Sequence, residues 1–262
     1  MEIDKWVGIF PLWAVFLLTL AICLGAAEAG AMLAKAALCQ KDGKEPEAPL
    51  ASLVGAMLGL LAFLLAFTFG MTAARFDARK ELVLEEANAI GTTYLRAGLV
   101  PETQGLEIRR LLRKYVEIRL SATPENLPQS LSESEAIHGQ LWSQIKSLVQ
   151  EDMDSELRSL LIASLNEVID LHQSRQTVAL EYRIPGSIWL GTYLLAMLSL
   201  LAVGYQVGMS GFRRLWGTPV LAAAFAVVIT MVADIDRPGE GLIRVSQQPI
   251  ADVQKMMLRS SP

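Results

Sequence analysis

Residues 50–74 are 25 consecutive amino acids without a charged side chain. At about 1.5 Å per residue, such a run is roughly 37 Å long as a helix, enough to cross a hydrocarbon core of about 30 Å. Three more charge-free runs, 6–27, 184–212 and 215–233, are of comparable length. In lipid every backbone polar group must find its partner inside the protein, so runs this long cross as helices. The pattern predicts an all-α integral membrane protein with four transmembrane helices. Hydrophobic residues are 52% of the chain, and their concentration in these runs carries the assignment.

Between the second and third runs the chain turns polar and keeps a helical period. Residues 1–74 are therefore expected to hold transmembrane helices 1 and 2, and 75–183 a helical cytosolic domain. Residues 184–235 hold transmembrane helices 3 and 4, and 236–262 a C-terminal cytosolic tail. The first run follows Glu2, Asp4 and Lys5. It lacks a basic leader and is too long for a cleaved signal, so it reads as a retained anchor.

Basic residues near the helix ends set the orientation. Lys5, Arg75, Arg79, Lys80, Arg175, Arg183, Arg237 and Arg244 fall on one side, and Lys35, Lys41, Lys44, Arg213 and Arg214 on the other. The richer side places both termini and the central domain in the cytoplasm of a cell inner membrane. A net charge of −4 gives no reason to expect nucleic acid as a partner. Cys23 and Cys39 provide neither a disulfide framework nor a paired metal-ligand spacing. His138 and His172 stand singly among helical residues, and metal binding through them is not expected. Gly91-Thr-Thr-Tyr lacks the spacing of a phosphate loop, and no nucleophile–base arrangement is visible, so no enzyme is expected.

The second run carries two adjacent stripes. Ala62, Ala66, Gly70 and Ala74 make a small face suited to close packing, while Gly59, Phe63, Phe67 and Met71 make a neighbouring face with large side chains. The second stripe reads either as a packing surface or as the hydrophobic neck of a pore, formed by Phe63, Phe67 and Met71. Beyond the membrane the same helix buries Val83, Ala87, Ile90, Tyr94 and Ala97, and its next face carries Glu81, Glu85, Asn88, Thr92 and Arg96. Arg96 is expected to be buried against a carboxylate or the tail after helix four. The first run has small residues every fourth position, Ala21, Gly25, Ala29 and Ala26, Gly30, Ala34. Three more helices follow in the central domain, one opening on a Ser132-x-x-Glu135 capping box.

Helix four ends in Asp234 and Asp236, followed by Arg237, Pro238, Gly239 and Gly241. Two carboxylates at the negative end of a helix dipole need a positive partner. One reading pairs them with arginines such as Arg75, Arg79, Arg96 or Arg237. The other places Asp234 and Asp236 in an oxygen-rich Ca²⁺ site. Pro238 stops the helix, and the glycines permit a tight turn into an extended segment 242–246.

Three segments carry a resemblance: Glu86-Ala-Asn-Ala-Ile-Gly-Thr-Thr-Tyr-Leu-Arg-Ala97, Asp234-Ile-Asp-Arg-Pro-x-x-Gly241 and Val245-Ser-Gln-Gln-Pro249. Together they resemble a family of bacterial bestrophin-like membrane proteins. The resemblance implies a homo-oligomer, a pentamer in bestrophins, that conducts small inorganic ions across the lipid bilayer. It implies a neck on the second helix at Phe63 and Phe67, and a metal clasp around Asp234 and Asp236. It also marks Glu85, Glu86, Asn88, Thr92, Arg96 and Arg237 as a structural or gating motif. The dense acidic run that follows helix four in bestrophins is missing here. The competing reading is a non-conducting membrane scaffold or sensor whose cytosolic helices bind a partner.

Overall fold

The computed structural model describes residues 10–40, 47–149, 154–180, 182–210, 216–237 and 241–259. Its helices are α1 (Leu12–Gln40), α2 (Glu47–Arg96), α3 (Glu102–Ser121), α4 (Leu127–Val149), α5 (Ser155–Leu180), α6 (Gly186–Ser210), α7 (Gly217–Asp236) and α8 (Gln248–Arg259). Helices α1, α2, α6 and α7 are long and apolar enough to cross a membrane, and α3–α5 lie between the second and third of them. The predicted fold class holds: this is an all-helical, multi-pass membrane protein. Glu2, Asp4, Lys5, Lys41, Lys44, Arg213, Arg214, Pro238 and Gly239 lie outside the described residues.

The chain forms two units. The membrane unit takes the described residues up to Ala74, then Arg183–Arg237 and Gly241–Ile243; the helical unit takes Arg75–Tyr182 and the described residues from Arg244 onward. Helix α2 is unbroken through 50 residues, about 75 Å at the usual rise. Neither Gly70 nor Gly91 interrupts it.

In the membrane unit α1 packs on α6 and α7. Small residues let the backbones touch, because dispersion rather than water exclusion drives helix association in lipid. A Cβ on Gly204 would lie 1.9 Å from the carbonyl oxygen of Ala27, and one on Gly30 would lie 2.0 Å from that of Leu201. The line Ala26, Gly30, Ala34 is thus part of the α1–α6 seam. Gly25, on the other small line, has open space around it. Two hydrogen bonds add polar links: Thr19 Oγ1 with the Tyr193 hydroxyl at 2.9 Å, and Ser199 Oγ to the carbonyl of Met57 at 3.3 Å.

The helical unit is built on one apolar core. From α2 come Val83, Ala87, Ile90 and Tyr94, and from the turn after it Ala97, the face predicted from the sequence. They meet Ile108, Leu111, Leu112 and Tyr115 of α3, and Ile137, Leu141, Ile145 and Leu148 of α4. Leu161, Leu165 and Val168 of α5 and Ile250 and Met257 of α8 complete the core.

Two local expectations fail here. The Ser132–Glu135 pair caps nothing, because α4 already begins at Leu127. Asn126 manages that entry instead: its Oδ1 accepts from the Thr123 amide at 2.7 Å and its side-chain amide donates to the Ser121 carbonyl at 3.1 Å. The tail also contains an unpredicted helix, α8. Its 12 residues carry a short apolar pattern behind Pro249, which is meagre beside the long periodic runs elsewhere.

Candidate functional site

Three places in the structure hold the residues singled out by the sequence. The first is α2 within the membrane unit. Its buried side is Val54, Leu61, Leu65, Thr68 and Thr72. Both threonine hydroxyls are satisfied inside the helix, Thr68 on the Leu64 carbonyl at 2.7 Å and Thr72 on that of Phe69 at 2.8 Å. The opposite side is uncovered in the single chain. Phe63 is 69% exposed and Phe67 56%, and Met71 is half-buried. Ala62, Ala66, Gly70 and Ala74 are exposed as well, and a Cβ on Gly59 or Gly70 would meet nothing within 4 Å. The small face expected to pack closely is therefore not packed within one subunit.

The second place is the end of α7. Asp234 is buried, and its two oxygens accept the amides of Leu242 at 2.9 Å and Ile243 at 3.2 Å. This closes a turn at Gly241, whose φ of +106° suits glycine, and where a Cβ would lie 1.9 Å from Asp234 Oδ1. Asp236 accepts the Ile184 amide at 3.1 Å, and Arg237 donates to the Phe10 carbonyl at 2.6 Å.

Backbone amides are thus partners of both carboxylates. Ca²⁺ takes six to eight oxygens, whereas here Asp234 presents both of its oxygens to N–H donors. Among the described residues no group of three His, Cys, Asp or Glu side chains is placed to hold a metal. This arrangement does not fit Ca²⁺. Asp234→Ala is expected to lower the melting temperature by several degrees and to open the 241–243 segment to limited proteolysis. A chelator is expected to leave the wild-type melt unchanged.

The third place is a polar cluster in the middle of the helical unit, where Glu86 is fully buried. Arg175 Nη1 donates to its Oε2, and Arg119 Nε lies 3.3 Å from its Oε1. The Tyr115 hydroxyl donates to Oε1 at 2.5 Å and also lies 3.0 Å from His172 Nδ1. Gln176 Nε2 lies 2.6 Å from His172 Nε2.

These contacts fix the tautomer. The phenol has one proton and gives it to the carboxylate, so His172 Nδ1 must donate to the phenol oxygen. Nε2 then accepts from the Gln176 amide. The ring of His138 packs edge-on against His172, with centroids 4.8 Å apart, and tilts over Tyr115 at 4.9 Å. Arg175 extends the cluster to Gln247 Oε1, at 3.1 Å.

Burial pushes the Tyr115 phenol well above its ordinary range, and the neighbouring carboxylate adds to the shift. Burial lowers both imidazoles, to about 4. The two histidines that stand singly in the sequence are therefore packed together.

Other members of the predicted motif are placed differently. Glu85, Asn88 and Thr92 are exposed on α2. Arg96 is half-buried and donates to the Leu160 carbonyl at 2.7 Å. That corrects the expected carboxylate partner: a carbonyl on α5 reaches the guanidinium instead.

Residues 13–250 match the Bestrophin-like domain. The chain belongs to the Bestrophin-like family. Its fold is also that of a bacterial bestrophin homolog from Klebsiella pneumoniae, solved by Zn-SAD phasing. The TM-score to that structure is 0.66 at 14% identity, over 95% of this chain and 98% of that one. A variant of the Klebsiella protein with one substitution aligns with a TM-score of 0.64 at 14% identity, covering 95% of this chain and 98% of its own. At this identity the likeness establishes the fold alone. No curated protein matches the chain. The Bestrophin-like assignment agrees with the resemblance seen in the three sequence segments, two of which contain Glu86 and Asp234.

Proposed function

We propose that this protein is a homo-oligomeric ion channel whose pore is lined by α2, with Phe63, Phe67 and Met71 forming a hydrophobic neck. The observation that carries the proposal is the uncovered side of α2. A single subunit covers one side of this helix with its own residues and leaves glycines, alanines and two phenylalanines bare along the other. Small side chains allow copies of a helix to approach one another. Large apolar rings at one level narrow the passage and govern whether water and ions enter it. Membership of the Bestrophin-like family supports the same reading. The bias of basic residues near the helix ends supports a cytoplasmic side for the termini and the helical unit, in an inner membrane.

Ion flux into liposomes tests the proposal. Wild-type protein should conduct, and Phe63→Ala and Phe67→Ala should raise the flux several-fold by widening and wetting the neck. Well-folded oligomers without flux in all three forms would overturn it and favour a non-conducting scaffold.

A further inference from the structure

The buried cluster belongs to the helical unit and contains none of the proposed neck residues. Its charges do not balance: Arg119 and Arg175 face Glu86, which leaves one positive charge in excess while both histidines are neutral. The groups come from every element packed there. Helix α2 supplies Glu86; α3 supplies Tyr115 and Arg119; α4 supplies His138; α5 supplies His172, Arg175 and Gln176; the segment before α8 supplies Gln247.

His138 is 7% exposed, and its Nε2 is buried and makes no hydrogen bond. Both nitrogens of His172 are engaged, Nε2 as an acceptor. A second proton on His172 would require the Gln176 amide to turn over and present its oxygen, and one on His138 would add an unpartnered buried charge. Either raises the excess beside two guanidinium groups. The side chain of Arg175 is 15% exposed against 8% for Arg119, so Arg175 has the easier route to water.

We propose that Glu86, Tyr115, His138 and His172 form an acid-operated latch: proton uptake by the imidazoles drives Arg175 out of the cluster and frees the Gln247 segment together with α8.

The direction follows from linkage. Burial holds each imidazole near pKa 4 in the closed state, while a solvated histidine titrates near 6.5. The closed state binds fewer protons between these values, so its advantage is complete above pH 6.5 and fades as pH falls towards 4. Between pH 7 and pH 5 this makes opening about 20-fold easier for each histidine that becomes solvated.

Hydrogen exchange on the full-length protein in detergent at pH 7 and pH 5, corrected for the intrinsic exchange rate, tests the latch. Protection of residues 245–259 should fall at least 20-fold in the wild type. In the His138→Phe/His172→Gln double variant it should change less than threefold. His138→Phe alone should lose a large part of the response; it keeps a ring and removes the unpartnered nitrogen, so it should fold at least as well as the wild type. If the double variant does not fold at pH 7, His138→Phe decides the matter. Unchanged protection in the wild type would overturn the proposal. So would an equal fall in whichever variant decides, because carboxylates elsewhere would then be responsible.

Discussion

Glu86→Ala is expected to cause the largest loss of stability of any single substitution in the helical unit. The carboxylate is fully buried between Arg119 and Arg175, which are themselves almost completely enclosed. Removing one partner of a buried ion pair costs about 3–5 kcal/mol, because the remaining charge is left uncompensated in a buried site. Here two guanidinium groups lose their counter-charge, and the Tyr115 hydroxyl loses its acceptor.

Total stabilities of about 5–15 kcal/mol are usual for a domain, so the unit should melt some 10–20 °C earlier or fail to fold. Glu86→Gln keeps the shape and one acceptor and should fall between. Tyr115→Phe removes one hydroxyl from the relay and should cost only about 1–2 kcal/mol. Thermal melts followed by circular dichroism in detergent would show this order. A loss below 3 °C in Glu86→Ala would mean that the cluster does not hold the unit together.

Gly204→Val should be the most damaging substitution in the membrane unit. The added carbon would fall 1.9 Å from the Ala27 carbonyl oxygen, a backbone atom that cannot turn aside as a side chain can. Helices α1 and α6 must then separate along their whole seam. Overpacking a core costs about 1–3 kcal/mol where side chains can adjust, and a backbone clash lies at or above the upper end. Gly25→Val is the control, since its Cβ position meets nothing within 4 Å.

Gly30 meets the same seam from the other helix, so Gly30→Ala and Gly204→Ala should cost less together than the sum of their separate effects. Once the helices are apart, the second methyl group finds room. Monodisperse yield and melting temperature read the outcome. A Gly204→Val protein as stable as the Gly25→Val control would show that the seam is looser than its geometry.

The architecture was legible because each long run carries one unambiguous period. The four spans, and the apolar stripe from Val83 to Ala97, follow from hydropathy and helical spacing alone. The polar cluster was legible only in fragments. Glu86, Tyr115, His138 and His172 are each buried in their own helix, and only Glu86 stands out beforehand, within a segment carrying the resemblance. That they meet depends on the axial stagger of four helices, which no local pattern encodes.

The clasp at Asp234 was hidden for a different reason. Its partners are backbone amides, and amides leave no mark in a sequence. Side-chain chemistry alone suggested arginines or a metal ion for those carboxylates.

A pore on the symmetry axis depends on the direction in which α2 presents its bare side. A single-particle reconstruction of the purified oligomer in a lipid disc, viewed along its symmetry axis, measures that direction. A channel lined by α2 requires Phe63 and Phe67 from every subunit to surround a passage on the axis. Rings turned outward into acyl chains, with the axis filled or absent, would contradict it.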